Sequence, residues 1–255
     1  MFPGLLIFDF DGVIADSEII SLSTLQSALR SYGNDLPLEE VRRRFLGKAM
    51  KQIKKAMQAQ DSDTSWDGFD AHWNAILFDR FRNELRPLPG LVALLDRIEA
   101  HGLPYCIASS GGLERIGVAL EAIGLGARFS HVFSAEQVRH GKPAPDLFLH
   151  AAKTIGVPPD RCLVLEDSPY GIKAATSAGM HALGFVGGAH LEDIQAEHRN
   201  LLLDQGARDV VEHLSDLTFD RMSALENAEG RDSHGSSVKR STGPTRQLRQ
   251  KPDWL

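Results

Sequence analysis

Two rhythms of apolar and polar positions run through the chain. Leu5-Leu6-Ile7-Phe8, Leu103-Pro104-Tyr105-Cys106-Ile107-Ala108 and Cys162-Leu163-Val164-Leu165 are short, unbroken apolar runs that stop at acids or hydroxyls. Runs of this length without alternation suit strands buried on both faces, as in parallel sheets. Val132-Phe133-Ser134 and His181 to Val186 read as further strands. Between the runs, apolar residues recur at helical spacing: Leu91 to Ala100 with His101-Gly102 as its stop, Leu113 to Ile123, Asp146 to Ile155, and Tyr170 to Ala178. Strands alternating with helices predict an α/β fold, a doubly wound, Rossmann-like parallel sheet with helices on both faces. Residues 189–226 read as helical segments, including Asp209 to Leu214, that close this core.

Residues 18–86 break the alternation. Leu22, Leu25, Leu29 and Tyr32 follow helical spacing up to a stop at Gly33. A second helix opens at Pro37-Leu38 and ends near Phe45-Leu46-Gly47, and a third spans 49–60. The polar stretch Asp61 to Ser65 caps a fourth, which carries Trp66, Phe69, Trp73, Ile76, Leu77 and Phe81 as a core stripe. The expected organisation is an α/β core of residues 1–17 and 87–228, an inserted α-helical cap of residues 18–86, and a tail of residues 229–255. From Gly230 the tail holds six Lys or Arg against Asp232 and Asp253, a net of +4, and almost no apolar residues, so disorder is expected there.

Composition narrows the class. The 255 residues are 42% hydrophobic and 24% charged, enough for a sizeable core. The formal charge of −6 argues against a nucleic-acid or anionic-membrane surface. No run is long enough to span a bilayer, and Met1-Phe2-Pro3-Gly4 lacks the basic start of a signal peptide. Cys106 and Cys162 lie inside predicted strands with no metal or redox spacing, as reduced core residues would. The expectation is a cytoplasmic enzyme, with a monomer plausible.

The candidate chemistry sits where the apolar runs end. In open α/β sheets ligands bind beyond the carboxyl ends of the strands. There the chain places Asp9 and Asp11 with Gly12, then Ser109-Ser110-Gly111-Gly112, then Glu166-Asp167-Ser168. A lone strand-end acid is usually a turn former; three runs ending this way strain that reading. Lys142 stands between the last two in the proline-framed loop Gly141-Lys142-Pro143-Ala144-Pro145-Asp146. Acids, hydroxyls and one lysine are what a magnesium–phosphate site needs. Gly187-Gly188 reads as a plain turn, and neither a dinucleotide nor a phosphate-loop fingerprint is present.

Asp9-x-Asp11-Gly12-Val13 with Asp16-Ser17-Glu18, then Ser109, then Gly141-Lys142-Pro143-x-Pro145-Asp146, then Glu166-Asp167-Ser168 with Gly171, resemble the haloacid dehalogenase superfamily. The branch they resemble is that of the β-phosphoglucomutase-like phosphatases, and the likeness covers roughly residues 4–215. It implies Asp9 as nucleophile and Asp11 as general acid and base. It also implies Mg2+ held by the Asp9 carboxylate, the Asp11 backbone carbonyl and Asp167, with Glu166 alongside. Ser109 would bond a phosphoryl oxygen by its hydroxyl, Ser110 by its backbone N–H, and Lys142 would clamp phosphate and carboxylate. Gly47, Lys48 and Lys51 match cap positions that meet substrate. His140 reads as a surface histidine and Arg42, Arg43 and Arg44 as a solvated face.

A divalent cation follows from charge alone. Two unit charges about 4 Å apart at an effective dielectric near 20 repel by roughly 4 kcal/mol. One lysine offsets that for a single charge, not for a phosphate dianion among several acids. Magnesium takes oxygen ligands, commonly one or two carboxylates plus phosphate. The implied activity is hydrolysis of a small phosphorylated metabolite, a sugar or polyol phosphate, through a phospho-aspartate. Alternatives are a sugar-phosphate mutase and, outside enzymes, a phospho-accepting switch or a phosphosugar binder. The mutases that the chain resembles carry a histidine where Ser21 stands and a cap arginine where Met50 stands.

Overall fold

The computed structural model describes residues 3–48 and 50–227. The tail expected from residue 230 lies outside the described residues. In chain order the elements are β1 (Leu5–Phe8), α1 (Glu18–Ser31), α2 (Leu38–Phe45), α3 (Met50–Gln60), α4 (Phe69–Glu84), α5 (Leu91–Ala100), β2 (Tyr105–Ser109), α6 (Leu113–Ala122), β3 (Val132–Ser134), α7 (Asp146–Ile155), β4 (Cys162–Glu166), α8 (Pro169–Ser177), β5 (His181–Phe185), α9 (Gln195–Asp204), β6 (Asp209–Val211) and α10 (Phe219–Asn227). No helix of the described residues is long and apolar enough to cross a membrane.

Among the described residues the strands form one parallel sheet in the order β3-β2-β1-β4-β5-β6. β1 sits inside it, with Phe8 in register with Ile107 of β2 and Leu165 of β4. Its residues are wholly buried on both faces: Leu6 and Phe8 join one apolar cluster, Leu5 and Ile7 the other. That two-sided burial is why the run is continuously apolar and not alternating. Three adjacent strands, β2, β1 and β4, therefore end side by side at one edge of the sheet.

The sheet extends further than sequence patterning suggested. Asp209 to Leu214, expected to be helical, instead supplies the edge strand β6, whose register sets Gly184 against Val210 and Phe185 against Val211. Val210 and Val211 are buried, and β-branched residues suit a pleated surface packed on neighbours. A strand of three residues is too short to show a period of its own.

The inserted helices have a cluster of their own, built from Leu22, Leu25, Leu29, Val41, Phe45 and Ile53 with Trp66 and Phe69. Tyr32 stacks on Trp66 with ring centroids 5.7 Å apart. The stripe on α4 divides: Phe69 packs among these helices, whereas Leu77 and Phe81 enter the cluster that covers the sheet. α4 thus anchors the insertion to the sheet, and Ala15 bridges Pro87 where the chain leaves and returns.

Candidate active site

Asp9 follows β1 directly, its N–H donating to Leu165 O at 2.9 Å, so its carboxylate is set beside the end of β4. Glu166 closes β4 and Asp167 follows it. An oxygen of each of Asp9, Glu166 and Asp167 lies within 4.8 Å of the others, and all three residues are buried. Lys142 reaches in from its loop and donates to Asp9 Oδ1 and Glu166 Oε1, 2.6 Å each, with only 4% of its side chain exposed. Ser109, at the end of β2, is buried and its Oγ accepts from Gly111 N at 3.0 Å.

Two glycines make room for this cluster. Gly12 turns the chain at φ +74, and a Cβ there would collide with Asp167 Oδ2 and stand 2.7 Å from His190 Cε1. Gly171 lies on the first turn of α8, where Ser168 caps the helix by accepting from Tyr170 N at 3.2 Å. A Cβ on Gly171 would overlap the Glu166 carboxylate. Gly171→Ala is accordingly expected to displace Glu166 from Lys142, lower the thermal midpoint and suppress turnover. A wild-type midpoint together with wild-type turnover would contradict this packing.

Burial dominates the electrostatics. Asp9 is pushed up to about 7 by desolvation, then by Glu166 and Asp11, with Lys142 pulling the other way. Glu18 is pushed up to about 8 by desolvation and by Asp11. Desolvation and the facing carboxylates also raise Asp167 well above its usual range, and desolvation raises Glu166. Lys142 moves upward: desolvation alone would lower it, but Asp9 and Glu166 more than compensate. Acids exceed cations here, and the surplus donors are all oxygens. That is the donor set a hard divalent cation takes, and such a charge would relieve the crowding.

A pH dependence follows. An acid whose folded pKa is raised binds its proton more tightly in the folded state. Its stabilising contribution is complete below the unfolded value near 4 and is lost as pH rises through the folded one, for Asp9 about 7. With metal chelated, the unfolding free energy is expected to fall between pH 4.5 and 7.5, by at most about 1.4 kcal/mol per pH unit for each proton, and the thermal midpoint with it. Added Mg2+ at pH 7.5 should recover most of the loss; a flat profile would refute the strained cluster.

Asp11 is tied differently. Arg115 on α6 donates to it through Nη1, at 3.3 Å to each oxygen, and through a closer Nη2 bond, while Ser17 Oγ donates to its Oδ1. Asp9, Asp11, Ser109, Lys142, Glu166 and Asp167 line a cavity of about 160 Å3. Ser110, Gly47 and Lys48 line it too, so the loop after α2 forms part of its wall. Lys51 does not reach it; it lies exposed on α3. His140 is exposed and pairs with Asp146 at 3.1 Å. Of the three arginines, Arg43 pairs with Glu40 and Arg44 with Gln60 near the surface, but Arg42 departs from the expected solvated face. Its Nη2 donates to the backbone oxygen of His190.

Sequence patterning passed over Arg115, His190 and His198. Desolvation lowers the pKa of both histidines. His198 Nε2 bonds the Asp167 backbone oxygen at 2.6 Å, and His190 Nε2 stands 3.1 Å from Asp167 Oδ2. Gly187-Gly188 joins the end of β5 to the segment that carries His190. Arg115 is the third residue of an ordinary amphipathic helix, with no local signal to separate it from a surface arginine.

The doubly wound sheet thus sets an aspartate and an acid pair at the ends of neighbouring strands, with a buried lysine reaching them from a loop. The haloacid dehalogenase-like hydrolase family matches residues 6–185, and the chain belongs to that family. It is 33% identical over 184 residues to a probable pseudouridine-5'-phosphatase of Drosophila melanogaster, covering 69% of this chain and 79% of that protein. It is 31% identical over 180 residues to the fructose-1-phosphate phosphatase YqaB of Escherichia coli K12, covering 70% and 94% respectively. A family hydrolase from Deinococcus radiodurans R1, crystallised with bound phosphate and sodium, superposes with a TM-score of 0.68 at 27% identity over 88% of this chain and 96% of that one. The chain is a haloacid dehalogenase-like hydrolase with phosphatases among its relatives.

Proposed function

We propose that the protein is a magnesium-dependent phosphatase of a small phosphorylated metabolite, a sugar or polyol phosphate, working through phospho-Asp9. The observation that carries this reading is Lys142 bonded to both Asp9 and Glu166 beside Asp167, in a cavity that the Gly47-Lys48 loop helps to line. Phosphatases of pseudouridine 5'-phosphate and fructose 1-phosphate among the relatives support the substrate class.

In the first step an Asp9 oxygen attacks phosphorus, the P–O bond to the leaving group breaks, and Asp11 gives that oxygen its proton. In the second, water attacks the same phosphorus, Asp11 takes the water's proton, and the P–O bond to Asp9 breaks. Ser109 Oγ and the Ser110 N–H would hold phosphoryl oxygens, and Lys142 would offset their charge. The cation would be held by the Asp9 and Asp167 carboxylates, the Asp11 backbone carbonyl and Glu166, and supplies charge neutralisation for the incoming phosphate. Arg115 and Ser17 hold Asp11 between steps.

On this reading residues 18–86 act as a cap over a core of 1–17 and 87–228, excluding bulk water during transfer. Free, buried Cys106 and Cys162 support a cytoplasmic setting. Hydrolysis is favoured over mutation of sugar phosphates by what lines the cavity. Ser21, a poor proton carrier near neutral pH, and Met50, which cannot pair with a phosphate dianion, stand where the mutases carry a histidine and an arginine, and Lys48 in the same wall is the cation that a mutase would have to use instead.

The test is phosphate release across a panel of sugar and polyol phosphates, with EDTA and then excess Mg2+. Repeated turnovers that need the metal are expected. A second assay supplies β-glucose 1-phosphate with a trace of glucose 1,6-bisphosphate; isomerisation outpacing phosphate release would overturn the hydrolase reading.

A further inference from the structure

The segment after β5 brings two buried histidines to Asp167, and the phosphoryl steps above use neither. His190 is 6% exposed and His198 4%. His198 donates to the Asp167 carbonyl at 2.6 Å, while His190 Nε2 meets the carboxylate at Oδ2, 3.1 Å away. When the Asp167 carboxylate is ionised, as holding a cation requires, it only accepts, and the contact then needs the His190 proton on Nε2. Its Nδ1 is buried with no hydrogen-bond partner among the described residues, so no group on that side competes for the proton.

Shape holds the ring where the contact needs it. A Cβ on Gly12 would lie 2.7 Å from His190 Cε1, and one on Gly188 2.8 Å from Cε1 and from Nδ1. The ring therefore fills the space these two glycines leave open. Arg42 fastens the same residue from α2 by donating to its backbone oxygen. Lys142 is committed to Asp9 and Glu166, and it is His190 that stands at the Asp167 carboxylate. That carboxylate faces Asp9 and Asp11, whose charges disfavour its ionised form.

We propose that His190 is a positioning residue that binds Oδ2 of Asp167 and so fixes the carboxylate that meets the divalent cation, without itself touching the reacting atoms. The inference rests on the metal reading given above. Partners of ligating groups of this kind typically set metal affinity by about 10- to 100-fold.

The test measures metal binding, not turnover. Mn2+ alone is titrated into the substrate-free protein and followed by electron paramagnetic resonance. His190→Leu is expected to weaken binding by about 10- to 100-fold while circular dichroism and the thermal midpoint stay near wild type. His190→Gln, whose amide N–H can replace Nε2–H, should recover most of the affinity. Wild-type affinity in His190→Leu would overturn the proposal. Imidazole 15N spectra of the wild-type protein give a reading independent of how the variants fold: an Nε2–H tautomer supports the proposal and an Nδ1–H tautomer overturns it. Failure of the wild-type protein to bind Mn2+ would overturn the metal reading and this proposal together, whereas normal wild-type binding with an unaffected Leu variant overturns only the role of His190.

Discussion

Asp9→Asn is expected to leave a folded protein whose phosphate release is lower by at least about three orders of magnitude. The amide keeps the size of the carboxylate but offers no nucleophilic oxygen, and no other group can take its place. Glu166 is held by Lys142 and by Ser168 N at 2.7 Å, and Asp11 by Arg115 and Ser17. Stability should not suffer. Asp9 sits at about 7 because burial and Glu166 disfavour its charge, so neutralising it removes a repulsion. Lys142 loses one anionic partner but keeps Glu166. In EDTA at pH 7.5 the variant should therefore unfold at or above the wild-type midpoint. Substantial residual turnover would sink phospho-Asp9 chemistry, and a large fall in midpoint would mean that Asp9 stabilises the fold through its charge.

The legible part of this site is the part written locally. Asp9, Ser109 and Glu166-Asp167 each end or follow an apolar run, and strand ends on a parallel sheet converge whatever the intervening chain does. Lys142 was legible because prolines frame its loop between two such runs. Arg115, His190 and Arg42 were not, because each acts on a partner distant in sequence: Arg115 on Asp11, His190 on Asp167, Arg42 on His190. An arginine on a helix carries the same local pattern whether it meets solvent or a buried acid. Lys48 and Lys51 could not be ranked for a related reason. The loop with Gly47 approaches Ser168, whereas Lys51, the second residue of α3, is exposed, and that difference is set by tertiary packing.

Lys142→Met should lose both activity and stability. The ammonium sits 2.6 Å from Asp9 and from Glu166 and lies 5.0 Å from the centre of the Phe148 ring, almost wholly out of water. Methionine fills much of the same volume, so the effect isolates the charge. Removing one partner of a buried pair typically costs about 3–5 kcal/mol, because the remaining charges stay desolvated and unpaired. Urea unfolding in EDTA at pH 7.5 should show a loss of that order, and phosphate release should fall at least about 100-fold. The pH dependence separates lost charge from lost packing. Asp9, Glu166 and Asp167 all have folded pKa values raised above their ordinary range. Without Lys142 they are raised further, so the folded variant takes up protons that the unfolded chain releases, and its stability recovers as pH falls. The gap between variant and wild type should accordingly narrow from pH 7.5 to pH 5. A gap that stays constant over that range would assign the loss to packing against Phe148, and no gap at pH 7.5 would show that the acids do not depend on Lys142.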